Sequence, residues 1–260
     1  MIRRSHAGLA DLAALAILIS ACHGTAPGPA LTDPKAIVTA ALTSTEAAKS
    51  VHLDLTVDGS VTIALPGSTS GTPIDLRGTT ASSDVDLSGS AAKATFSIES
   101  VIKVTGQLIA VDGKVYAKTS LTGPLYVESA SSTAPVDPTR TKAMMDDLGA
   151  LLLKDGVNLA KGEDVACGSK QCYTVTADLS AAQLGTAGAA PSTGLPIDLT
   201  GATVNLTLRV EKDLPYHLAG IAATLTAPNA TSMRADLIAS KWDEPVSIAA
   251  PPADQVKSPS

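Results

Sequence analysis

The chain has 260 residues and a formal net charge of −6; 45% of it is hydrophobic but only 2% aromatic. No basic stripe of the kind that tracks a phosphate backbone is present, which argues against nucleic acid as a partner, and past residue 22 no stretch is long and apolar enough to cross a bilayer as a helix. With so few rings to supply large buried areas, the interior must be built from Ala, Val, Leu and Ile, which can either pack densely or line an open apolar cavity.

At the N-terminus Arg3 and Arg4 precede an apolar run over residues 12–19, and the small residues Ser20 and Ala21 follow. Positive charge, a short apolar segment and a small-residue site, in that order, predict a secretory signal over residues 1–21. The run falls short of the roughly 20 apolar residues a spanning helix needs. Ile19-Ser20-Ala21-Cys22 resembles the lipobox of bacterial lipoproteins, in which the thiol takes a diacylglycerol and becomes the first residue of the mature chain. Cys22 is therefore the expected lipid attachment site; an ordinary signal peptide with a chance cysteine is the alternative. Residues 22–34 carry Gly24, Pro27, Gly28, Pro29 and Pro34 and read as an extended tether.

A domain over residues 35–250 follows. Asp33 or Thr32 caps a predicted helix over residues 34–49, with Pro34 near its first position, where the missing N–H is harmless. The period then changes to two. Val51, Leu53, Leu55 and Val57 alternate with polar residues, Asp58-Gly59 signals a turn, and Val61, Ile63 and Leu65 continue on a second strand. Further strands are predicted around residues 74–80, 83–89, 94–101, 105–111 and 114–119, the last two joined by the hairpin signal Asp112-Gly113, with a short one at 125–128. A second helix is predicted over residues 141–154. On it Met144, Leu148, Leu151 and Leu152 fall at i, i+4, i+7 and i+8, one inward stripe. Strands resume through residues 165–177, and a short helix is expected from Ser180. The last third is a meander through 204–210, 219–225 and 233–239, closed by Trp242 and residues 246–248, with residues 251–260 as a flexible tail.

Chemistry-bearing residues are few. With Cys22 assigned to the anchor, Cys167 and Cys172 remain, in a hairpin with Gly168 to Gln171 as its loop. Facing positions on antiparallel strands lie at about 4.5–5.5 Å between Cα atoms, near disulfide range, and an exported chain lives in an oxidising compartment. A disulfide is expected; the alternative, a zinc site, would need two further ligands. His23, His52 and His217 have no partner at a recognised metal spacing, so no metal or cofactor is expected. Residues 67–71 place Thr69 where a hydrolase elbow needs Ser. No nucleophile–base arrangement is visible, and the chain does not read as an enzyme.

The order of lipobox, tether, helix, β-meander, central helix and second meander resembles the LppX/LprAFG lipoproteins of mycobacteria and their relatives. The closing stretch Ser240-Lys241-Trp242-Asp243-Glu244-Pro245-Val246-Ser247-Ile248 before Pro251-Pro252 is similar to theirs, as is Val111-Asp112-Gly113-Lys114-Val115-Tyr116-Ala117-Lys118. The resemblance implies an α+β fold, a single curved antiparallel β-sheet (half-barrel) with helices against its concave face, related to the LolA/LolB carriers. It also implies a hydrophobic cavity for lipid or glycolipid, carried or presented within the cell envelope. On periodicity alone the helix stripe reads as ordinary core; under the resemblance it becomes the lid of an acyl-chain cavity opposite Phe96, Ile98, Ile109 and Val115. Expected partners are the lipid ligand, the extracytoplasmic face of the cell membrane through the N-terminal anchor, and a membrane transporter. The competing class is a structural or protein-interaction lipoprotein with a solid core and no ligand.

Overall fold

The computed structural model describes residues 29–63, 72–89, 91–100, 102–130, 138–180, 182–183, 201–228 and 231–257. The signal, Cys22, His23, the loop at 67–71 and all of residues 184–200 lie outside them. Helix α1 spans Pro34–Ala47. Asp33 caps it, its carboxylate accepting the Ala36 N–H at 2.8 Å, and Pro34 occupies the first turn as its fixed φ permits. Ile37, Val38, Ala41 and Ser44 form its buried side.

Strand β1, Ser50–Ile63, runs straight through the predicted Asp58-Gly59 turn. The turn signal is answered on the neighbouring chain segment instead. There β2 (Thr72–Asp75) breaks into β3 (Thr79–Asp86). Gly59 O accepts the Leu76 N–H at 2.8 Å and the Asp58 carboxylate accepts the Gly78 N–H at 3.0 Å. Gly59 itself sits at φ 112°, and a Cβ there would overlap the carbonyl oxygen of Ser232. The Asp-Gly pair thus holds the break in the neighbouring segment rather than reversing its own strand.

The meander continues through β4 (Ala91–Glu99), β5 (Lys103–Val111), β6 (Lys114–Thr119) and β7 (Val127–Ala130). Asp112 and Gly113, at φ 53° and 71°, make the β5–β6 reversal as predicted. Helix α2 spans Pro138–Leu152, starting and ending earlier than the periodicity suggested. After it come β8 (Leu159–Lys161), β9 (Val165–Cys167), β10 (Lys170–Ser180), β11 (Thr203–Glu211), β12 (Leu218–Thr226) and β13 (Ser232–Ser240).

All the strands belong to one antiparallel sheet in the order β7-β6-β5-β4-β3-β1-β13-β12-β11-β10-β8, with β2 also on β1 and β9 on β10. The first and last strands meet at its centre, and β7 and β8 are left as open edges. This is the expected half-barrel. Helix α1 packs on the β8 and β10–β12 side, over a core of Ile37, Val38, Val175, Leu208 and Val210, with Leu151 and Leu152 of α2 completing it.

Both chain ends of the domain are more firmly held than predicted. The tether is engaged from Pro29, whose carbonyl accepts the Tyr216 hydroxyl at 2.9 Å, while the Leu31 N–H donates to the Tyr173 hydroxyl at 3.0 Å. At the other end residues 251–257 are a strap, not a free tail. The Tyr126 N–H donates to Gln255 O and the Lys257 N–H to Tyr126 O, each at 2.8 Å. Ile248 and Val256 pack on Ile109, Tyr116 and Tyr126, and this apolar contact is the reason the segment stays down.

Candidate functional site: an apolar cavity under the helices

Alternation along β1 sends Val51, Leu53 and Leu55 to the helix side of the sheet and His52 and Asp54 to the other. The register places Leu53 beside Ala239 and Leu55 beside Leu237 on β13. These residues, with Leu218 of β12, Leu87 and Trp242, form the floor of a cavity of about 360 Å³. Its roof is Leu42, Thr45 and Glu46 of α1, Ala48 just beyond it, and Met145 and Asp146 of α2. Helical spacing explains the division of labour on α1. Ile37, Val38, Ala41 and Ser44 face the packed core, while Leu42, Thr45 and Glu46 lie round the cylinder over the seam between the two halves of the sheet.

Trp242 forms one wall and is fixed from three sides. Its indole N–H donates to Leu218 O at 3.1 Å, and its ring stacks on His217 at 5.0 Å between centroids. The backbone on both sides is left-handed, Lys241 at φ 51° and Asp243 at φ 61°. Asp243 also ties this corner to β1, its carboxylate accepting the Lys49 N–H at 2.7 Å. Burial pushes the His217 imidazole below its ordinary value, against the upward pull of Glu211 and Asp243.

The residues predicted from sequence to line the cavity are placed differently. Leu151 and Leu152 are core, 4% and 0% exposed. Leu148 and Leu152 border only a narrow void of about 10 Å³ against Val38 and Leu208, so α2 lies on solid packing there. The Met144 side chain is outside the described residues; its neighbour Met145 reaches the cavity. Phe96 lies across Gly106, where a Cβ would collide with its ring; the ring covers a bare stretch of β5 instead of entering the cavity. Ile98 shares its face of the sheet, opposite Val104. Val115 is buried in the inner row with Val51, Val85, Ala92 and Ala110, one layer away from the cavity. Ile109 is the clear correction. Ala110 pairs with Val115 and Ala92, so Ile109 points to the opposite face, under the C-terminal strap.

What sequence reasoning missed was the β1–β13 seam. Val51, Leu53, Leu55, Leu237 and Ala239 were each legible as inward strand positions, but nothing local said that the two strands adjoin. Cys167 and Cys172 form the expected disulfide, with Cα atoms 5.9 Å apart. The hairpin is tighter than predicted, a Gly168-Ser169 turn with Lys170 opposite Cys167, so the cysteines are diagonal rather than facing.

On the outer face His52 has acid partners that its sequence spacing did not reveal. Its Nδ1 lies 2.6 Å from Asp84 Oδ1, and its Nε2 lies 3.4 Å from Ser82 Oγ and 3.3 Å from Asp54 Oδ2. Nucleophile, base and acid are thus close, but Asp54 competes with Ser82 for the same nitrogen. Ser82 sits within a strand paired on both sides, whose amides are committed to the ladder rather than to an oxyanion. Among the described residues no group of three or more His, Cys, Asp or Glu side chains could hold a metal ion.

A family model described as LppX_LprAFG lipoprotein matches residues 33–248. No curated protein sequence matches the chain. Among solved structures it is similar to LprF from Mycobacterium bovis, at 18% identity and a TM-score of 0.58 over 88% of this chain and 99% of that one. It is similar also to the lipoprotein LppX from Mycobacterium tuberculosis, at 19% identity and a TM-score of 0.53 over 84% of this chain and 100% of that one. At these identities the likeness is one of fold.

Proposed function

The chain belongs to the LppX/LprAFG lipoprotein family, and from that premise we propose that it is a non-enzymatic carrier that shelters a lipid acyl chain while anchored at the extracytoplasmic face of the cell membrane. The observation that carries this reading is the cavity of about 360 Å³ with an apolar floor. Ligand sites commonly measure about 300–1,000 Å³, and this one, near the lower bound, suits one acyl chain better than several. Each methylene withdrawn from water contributes about 0.8 kcal/mol, so a chain is retained without any catalytic group. Among the described residues no helix is long and apolar enough to cross a membrane. In this reading the diacylglycerol on Cys22 holds the protein in place, since two chains anchor stably where one is marginal.

Lipid extraction and native mass spectrometry of the purified chain, followed by uptake of a labelled acyl probe, test the proposal. Leu55→Trp, which fills the cavity from β1, is expected to weaken uptake on the order of tenfold or more while circular dichroism stays native. Equal uptake by the folded variant would remove the cavity assignment. Wild-type protein that neither carries nor takes up lipid would favour the solid interaction module. The anchor has its own check: intact mass of the membrane-fraction protein should show diacylglycerol on Cys22.

A further inference from the structure

The wall of the cavity is divided by polarity. The sheet side, from β1, β12 and β13, is apolar, whereas the polar groups are on the helices: Thr45 and Glu46 of α1 and Asp146 of α2. Glu46 and Asp146 are solvent-exposed residues, so they stand at the rim and not in the depth. Among the described residues no Lys, Arg or His contributes to the wall. Lys49, just past α1, turns its backbone N–H to Asp243 and is not part of it.

Two consequences follow for a lipid with its tail on the apolar floor. Its head must end at the rim, because burying a charged head on apolar wall is costly. There it meets the two carboxylates of Glu46 and Asp146, groups that accept hydrogen bonds. An anionic head finds repulsion from both and, among the described lining residues, no counter-charge; a head rich in O–H groups finds acceptors.

We infer that the cavity selects single-chain lipids with an uncharged, hydroxyl-bearing head and discriminates against ionised fatty acids and phosphate-bearing heads, through Glu46 and Asp146. This rests on the carrier reading above and adds to it the class of cargo. Charges about 7 Å apart in the intermediate dielectric of a protein surface interact strongly enough to change a dissociation constant severalfold.

The test is displacement of an environment-sensitive apolar dye from the purified full-length chain at pH 8 and low salt. The competitors are a monoacylglycerol, a free fatty acid and a lysophosphatidylglycerol of one chain length, each below its aggregation concentration. The monoacylglycerol should bind about fivefold tighter or better than either anion, and the gap should narrow in about 1 M salt as screening shortens to about 3 Å. The double variant Glu46→Gln/Asp146→Asn should bring the anions up to the neutral lipid. Anions binding as well as the monoacylglycerol to the wild type, or a gap unchanged in the folded double variant, would overturn the inference and leave the carrier reading intact. Binding of none of the three would remove the carrier reading, and the inference with it.

Discussion

His217 is a polar ring in an apolar corner, stacked on Trp242 with Asp243 Oδ2 3.7 Å from its Nε2. Burial depresses its affinity for a proton below the ordinary value of 6.5. The unfolded chain therefore binds a proton at a higher pH than the native state does. Stability is unaffected by this group above about 6.5 and is lost as the pH falls from there toward the depressed value. The thermal midpoint should drop between pH 7 and 5.5, and drop less in His217→Phe, which keeps a ring on Trp242 but cannot titrate. An unchanged slope in the variant would assign the effect elsewhere. Nothing in the sequence around His217 announced any of this. Its partners come from two stretches, Glu211 at the end of β11 and Trp242-Asp243 just past β13, and only the pairing of β11, β12 and β13 gathers them.

Individual strands and helices were far more legible than that corner. The period-two runs marked β4, β5, β6, β11, β12 and β13 to within a few residues, because each has one buried and one solvated face. Asp112-Gly113 was read correctly because the turn needs only its own two residues. Asp58-Gly59 was misread for the complementary reason: the same dipeptide there answers a break in the neighbouring segment, which local sequence does not show. The two glycines should consequently differ in tolerance. Gly113→Ala has nothing within 4 Å of the new Cβ and only the left-handed backbone to oppose it, a cost of about 1 kcal/mol. Gly59→Ala adds a collision with Ser232 O and Met233 Cα, which should raise the loss to on the order of 2–4 kcal/mol. Urea unfolding midpoints of the two variants measure the difference; equal midpoints would mean that β13 yields at Gly59. Ile109 shows a one-residue version of the same difficulty. Choosing it over Leu108 or Ala110 for the inner face was a matter of parity, and parity is fixed only by the paired strand.

At the scale of the whole molecule the sheet is covered in two different ways, and the cavity lies where they meet. Over β8 and β10–β12 the helices press on a filled core, leaving only about 10 Å³ beside Leu148 and Leu152 of α2. Over β3–β6 the inner row is short side chains, Val85, Ala92, Ala110 and Val115. Between them, at β1 and β13, neither arrangement closes the space. A chain poor in aromatic rings has few side chains large enough to fill such a seam, which gives the 2% aromatic content a structural meaning that composition alone could not supply. A ligand that binds only the native state stabilises it by RT ln(1 + [L]/Kd), about 2.7 kcal/mol at a hundredfold excess over Kd. That stabilisation should be local as well as global. On loading with an acyl lipid, amide hydrogen exchange should slow in β1, β13 and the C-terminal half of α1, whose side chains enclose the cargo. It should change least in the β5–β6 hairpin, whose inner residues stand one layer back, and in the C-terminal strap on the outer face. Protection concentrated on that outer face instead would place the lipid against His52, Ile109 and Tyr116, and the seam would then be only an imperfection of packing.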